Sequence, residues 1–178
     1  MEPLHLKGID QPLTPFVLGT MTFGDNADIK AAGEMLELFL EAGGNGIDTA
    51  NGYSGGRSES MLAALLRGRR EQVVLATKIG IPHPDAAGAP PLSIDGIRRC
   101  VTASHHRLGT DHVEVLYLHQ PDRTTPIAQT LTAIQELTGV RNDLRSGNRG
   151  VSPPPLLHSR RDRRVDLGAA ISAITTEH

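Results

Sequence analysis

The chain has one cysteine, Cys100, so no internal disulfide can form, which agrees with a reducing compartment. Cys100 sits among Arg98, Arg99 and Val101 in a predicted helix, where a partly buried structural thiol is expected. No apolar run approaches the roughly 18 residues of a membrane span. The opening MEPLHLKG lacks the apolar core of a secretion signal, so the expectation is a cytoplasmic protein with no membrane partner. Tryptophan is absent, and the five aromatics (Phe16, Phe23, Phe39, Tyr53 and Tyr117) all precede position 118, leaving the last third without a large ring to anchor a core. Residues 139–178 also lack lysine and hold seven arginines against four acids, whereas residues 1–138 hold eleven bases against sixteen acids. No aromatic is interleaved with those arginines for base stacking, so nucleic acid is not an expected partner.

What is present is a repeating pattern in a chain of 178 residues, a length that suits one domain. Leu4 to Leu13 alternates loosely around Lys7-Gly8, which predicts a small N-terminal hairpin. Strands are then predicted at 16–20, 45–50, 73–78 and 113–119. Each is followed by a helix: Asp28 to Gly43 with Ile29, Ala32, Met35, Leu36, Phe39 and Leu40 inward; Ser58 to Arg67 with Met61, Leu62, Leu65 and Leu66 inward; a third capped by Ser93, with Ile94, Ile97, Val101 and Leu108 inward and Gly109 as its stop; and a fourth opened by Pro126, with Ile127, Leu131, Ile134 and Leu137 inward. The Pro- and Gly-rich stretch from Ile79 to Leu92 reads as a surface loop rather than a helix. Four strand-then-helix units in succession require a parallel sheet with right-handed crossovers. After the first strand stands Leu18-Gly19-Thr20-Met21 rather than G-x-G-x-x-G, so a doubly wound dinucleotide fold is disfavoured. The expected fold class is α/β, a partial (β/α)8 barrel of about four units over residues 1–138. Residues 139–178, with a triple proline at 153–155 and the arginine-dense Arg160 to Arg164, are expected to form an irregular, disordered tail.

Polar residues gather at the carboxyl ends of the predicted strands, where an α/β protein places its chemistry: Asp48 and Tyr53 after the second, Lys78 after the third and His119 after the fourth. Taken singly, each has a plainer role as a loop cap, a rim aromatic, a solvated strand end or a satisfied core imidazole. Adjacent His105 and His106 point in different directions and make no metal pair, and His83 and His112 sit in polar loops with nothing to pair. In order and placement the four strand-end residues resemble the catalytic tetrad of the aldo-keto reductases. LGTM at 18–21, IDTANGYSGGRSE at 47–59, TK at 77–78 and YLHQPD at 117–122 resemble that family's motifs, over about residues 4–137.

The resemblance implies reduction of an aldehyde or ketone by hydride from a nicotinamide cofactor, usually NADPH, with a small carbonyl compound as substrate. A carbonyl that accepts hydride becomes an alkoxide and needs a proton donor in place. Tyr53 is the expected acid, Lys78 would favour its phenolate, Asp48 would hold the ammonium, and His119 would orient the carbonyl oxygen or help relay the proton. Gly19, Thr20 and Met21, with Asp48, are expected on the cofactor side of the mouth. Three rivals follow from the same residues. Lys78 could form a Schiff base as in class I aldolases, against which Tyr53 and YLHQPD argue. The chain could be a non-catalytic nicotinamide-binding regulatory module. It could also be an inactive, truncated reductase, since a full barrel takes about 250 residues; a frameshift near residue 138 is the expected origin, and Pro153 stands where the family's cofactor-contacting Asn would be. Such a half-barrel leaves its first and fourth strands as open edges, from which self-association is expected.

Overall fold

The computed structural model of the protein describes residues 2–6 and 8–138; the boundary at 138 and the tail expected over 139–178 lie outside the described residues. The hairpin forms as expected: Leu4 and Leu13 exchange both backbone hydrogen bonds, at 2.7 and 2.8 Å, and Gly8 takes a positive φ of 85° in the turn. Strands β1 (Val17–Gly19), β2 (Gly46–Asp48), β3 (Val74–Ile79) and β4 (Val115–Leu118) then alternate with helices α1 (Ile29–Glu41), α2 (Arg57–Leu65), α3 (Ile94–Leu108) and α4 (Ile127–Thr138). All neighbouring strands are parallel, in the order β1-β2-β3-β4. An order without reversal carries each crossover the same way, so the helices gather on one face.

The two faces of the sheet follow from strand alternation. Ile47 and Leu75 point toward the helices and join Leu36, Leu62 and Leu66 in one buried cluster, while Ile79 joins Ile97, Cys100, Ala133 and Ile134 in a second. Cys100 is fully buried, more so than expected. On the opposite face Val17, Gly19, Gly46, Val74, Ala76 and Val115 surround a cavity of about 360 Å³, floored by Leu6 and Leu13 of the hairpin. Gly46 lets the hairpin pack close to the sheet, since a Cβ there would stand 2.7 Å from the end of the Leu13 side chain, which would have to shift. These are successive units of a barrel wall, helices outside and small residues within, and among the described residues β1 and β4 are its edges.

Caps fall where the sequence places them: Asp28 accepts from Ala31 N at 2.8 Å, Ser93 accepts from Gly96 N at 3.1 Å, and Gly109 closes α3 in the left-handed region. Several boundaries and faces differ from expectation. β1 keeps three residues of the predicted 16–20, and α2 ends at Leu65 with Leu66 as its cap. In α1 Ala32 and Leu36 are buried but Ile29 and Met35 are exposed, and in α4 Thr130, Ala133 and Ile134 are buried but Ile127, Leu131 and Leu137 are not. Periodicity finds an apolar stripe, yet a helix at the end of a sheet has a neighbour on only one flank. The loop after β3 contains a short helical turn, Pro84–Ala86, that buries Ala86, and Leu92 farther along is also buried. His83 and His112 have partners after all: His83 Nδ1 lies 3.0 Å from Asp85, and His112 lies 2.9 Å from Asp111 and 3.3 Å from Glu114.

Candidate active site

Strand parity selects what the mouth contains. Positions 46 and 48, 74 to 78 in steps of two, and 115 to 119 in steps of two all face away from the helices, so Asp48, Lys78 and His119 end three neighbouring strands on one side. After β2 the chain keeps running beside β3, with Thr49 N donating to Ala76 O at 2.9 Å and Asn51 N to Lys78 O at 3.1 Å, which carries Tyr53 over Lys78. Ser54, Gly55 and Gly56 follow with φ of 51°, 64° and 89°, a left-handed reversal that turns the backbone into α2. Ser54 offsets its own strain by donating from its hydroxyl to Phe23 O at 2.9 Å.

The four predicted residues meet. Lys78 Nζ donates to Tyr53 Oη at 2.7 Å, to Thr49 O at 3.2 Å and to Asp48 Oδ2, so its three protons are committed. It also lies 4.5 Å from the Tyr53 ring centroid. The His119 ring stands edge-on to Tyr53, centroids 6.1 Å apart at 88°, and its backbone N donates to Ile79 O at 2.7 Å. Burial pushes the His119 imidazole below its usual value, and the Lys78 charge adds to this against the opposing pull of Asp48. Its buried Nδ1 has no partner among the described residues.

Of the residues expected on the cofactor side, Gly19 and Met21 are exposed on the rim, and among the described residues nothing beyond its chain neighbours lies within 4 Å of where a Gly19 Cβ would be. Thr20 stands behind the rim: it is fully buried, and its hydroxyl donates to Asp48 O at 3.1 Å.

Two residues that sequence reasoning left without a role hold the strand ends in place. Ser58 Oγ donates to Thr20 O at 2.9 Å and lies 3.0 Å from Thr49 Oγ1, tying β1 to β2. Glu59, fully buried, accepts from Thr77 Oγ1 at 2.7 Å and from Arg107 Nε at 2.7 Å, and Arg107 also pairs with Asp85 at 2.7 Å. Burial alone would raise the Asp85 carboxyl, but Arg107 and His83 bring it below the usual range. The first turn of α2 therefore fixes the residues flanking Asp48 and Lys78. Glu59 was detectable as an acid in phase with the buried Leu62 and Leu66.

His105 is also held below the usual imidazole value, chiefly by burial. A histidine depressed in the folded state takes up its proton first in the unfolded state, so stability should fall as pH drops below about 6.5. Thermal melting from about pH 7 to 5 should show that decline, and the paired His105→Gln and His119→Gln changes should flatten it.

These units, with their polar strand ends, define an α/β protein built as part of a barrel, and comparison with known proteins names the kind. The family model described as the aldo/keto reductase family matches residues 15–140. The chain belongs to that family. It is 40% identical over 131 residues to aflatoxin B1 aldehyde reductase member 2 of Rattus norvegicus, covering 71% of this chain and 34% of the relative. It is 39% identical over 119 residues to a probable voltage-gated potassium channel subunit beta of Arabidopsis thaliana, covering 64% and 35%. The solved holo form of an aldo-keto reductase from Bacillus halodurans superposes with a TM-score of 0.66 at 30% identity, covering 78% of this chain and 47% of that one. The chain thus spans about a third of these curated relatives and about half of the solved one.

No helix among the described residues is long and apolar enough to cross a membrane.

Proposed function

We propose that this chain carries the catalytic half of an NADP-dependent oxidoreductase that reduces an aldehyde or ketone to an alcohol, with Tyr53 as general acid. The observation that supports this most directly is Lys78 Nζ donating to Tyr53 Oη at 2.7 Å while Asp48 holds the same ammonium. An ammonium donating to the phenol oxygen favours the phenolate left when the Tyr53 proton passes to the developing alkoxide. Asp48 and Thr49 O aim that ammonium, and His119, neutral at pH 7, offers a ring N–H toward the carbonyl oxygen. The residues present suit the nicotinamide end of the cofactor: an open Gly19 and Met21 rim, an unpartnered His119 nitrogen and the Asp48 carboxylate. When bound, NADPH would supply the hydride. The substrate is a small carbonyl compound, and the single buried cysteine suits the cytoplasm.

The plant relative's name motivates a second reading, in which the same residues bind nicotinamide without turnover, as part of a regulatory module. Nicotinamide fluorescence titrated with the purified chain, followed by NADPH oxidation with small aldehydes, separates the two. Binding with aldehyde-dependent oxidation is the expected result. Binding alone favours the module, and neither rejects both.

A further inference from the structure

Asp122 closes the YLHQPD segment, three residues beyond His119 in the loop between β4 and α4. Its carboxylate accepts hydrogen bonds on both oxygens. Oδ1 takes Thr124 N at 2.8 Å and Thr124 Oγ1 at 2.6 Å, and Oδ2 takes Thr125 Oγ1 at 2.6 Å and Leu92 N at 3.2 Å. The Thr124 hydroxyl, then that of Thr125 and the two amides, hold the Asp122 carboxyl far below the usual range, so it is ionised near neutral pH. The bonds to Thr124 and Thr125 are local, whereas the bond to Leu92 reaches the end of the loop that leaves β3.

Leu92 is held from several directions. Its carbonyl accepts from Thr130 Oγ1 of α4 at 3.0 Å, so both of its backbone groups are fixed, and its side chain is buried among Ile79, Ile97 and Ala133. It also lies over Gly80: a Cβ there would stand 2.5 Å from Leu92 Cδ2 and 3.6 Å from His119 N. Leu92 therefore covers the backbone beside which His119 is set. That support matters because an imidazole at a reaction centre is ordinarily aimed by a hydrogen bond on its second nitrogen, and the buried Nδ1 of His119 has no partner among the described residues. The aim of the ring comes instead from Tyr53, which it meets edge-on, and from the backbone under Leu92.

We propose that Asp122 is a positioning residue for His119, drawing Leu92 onto the Gly80 and His119 backbone so that the imidazole keeps its place beside Tyr53. A carboxylate suits the task because two backbone N–H groups, those of Leu92 and Thr124, must each find an acceptor on a different oxygen; asparagine has one oxygen and leaves one of the two facing its NH2 group. The effect on turnover rests on the reading of His119 as the group that meets the carbonyl oxygen, but the placement of the ring does not.

Imidazole NMR signals of the full chain test the placement, with those of His119 identified by their loss in His119→Gln. In Asp122→Asn they should shift, and their titration midpoint should rise toward the ordinary histidine value as the ring leaves its buried place near Lys78. Thr130→Val, which frees the Leu92 carbonyl, should move them the same way by less, while Thr124→Val, which spares the Leu92 bond, should leave them in place. With NADPH and a small aldehyde, Asp122→Asn should lower kcat by up to about 10²-fold, the scale of a misplacement of about 1 Å, and leave nicotinamide affinity unchanged. His119 signals unmoved in both Asp122→Asn and Thr130→Val would overturn the proposal, as would Thr124→Val moving them as far as Asp122→Asn. If Asp122→Asn does not fold, Thr130→Val decides in the same terms. Displaced signals with undiminished turnover would uphold the placement and reject the role given to His119 in the reaction.

Discussion

Tyr53→Phe should lower aldehyde-dependent turnover by about 10²–10⁴-fold, the usual contribution of a positioned general acid, and leave nicotinamide binding close to its original value. The substitution keeps the ring that meets His119 edge-on and removes only the hydroxyl that accepts from Lys78. It therefore separates proton donation from packing. The measurement belongs on whichever form turns over, this chain alone or this chain joined to the C-terminal half of a relative, with fluorescence titration on the same sample. Lys78→Met should fall with it, because the phenol loses the cation that favours its ionised form. If Tyr53→Phe retained turnover within a few-fold while Lys78→Met did not, the acid would have to be sought elsewhere, with neutral His119 the next group in reach.

The elements and the strand ends were legible because alternation and helical spacing are local properties, and each unit of this chain repeats them. Asp48, Lys78 and His119 were legible as polar residues at the carboxyl ends of successive strands, whereas their sharing one side follows from the register, in which Asp48 pairs with Ala76 and Lys78 with Tyr117. The convergence of Tyr53 was carried by the family resemblance. Its physical cause, two hydrogen bonds that extend β2 alongside β3 and then a left-handed turn at Ser54, Gly55 and Gly56, is set by backbone geometry that composition only hints at. What failed was burial at the ends of the sheet. Ile29, Met35, Ile127, Leu131 and Leu137 obey the helical period as faithfully as Leu36 and Ile134 do, but Ile29 and Ile127 open their helices and Leu137 nearly closes its own, so position along the helix as well as flank separates them. The partners of His83 and His112 were missed for the opposite reason: Asp85, Asp111 and Glu114 lie within two positions in sequence, but loop conformation decides whether such neighbours meet.

Glu59→Ala should cost the fold about 3–5 kcal/mol, more than any single apolar truncation at the exposed ends. Glu59 has no exposed surface, and its carboxylate joins the Thr77 hydroxyl to the Arg107 guanidinium. Removing it leaves Arg107 with Asp85 as its remaining anion and the buried Thr77 hydroxyl without an acceptor. Arg107 keeps Asp85, so the cost combines the lost Glu59–Arg107 pairing, the buried Thr77 hydroxyl left unsatisfied and the space left empty, and a second variant separates the charge from the rest. Glu59→Leu with Arg107→Met and Asp85→Asn removes all three charges of the cluster and refills the space, and should recover most of the stability in denaturant melts. The site gives an independent readout. Thr77 precedes Lys78 on β3, and Ser58 beside Glu59 ties Thr20 to Thr49, so loosening the first turn of α2 should displace the ammonium from the Tyr53 phenol even at temperatures where the chain stays folded. A variant of that kind that melts like the original chain but binds nicotinamide normally and turns over slowly would place the Glu59 cluster as a positioning element for Lys78. Equal melting with unchanged turnover would confine it to stability.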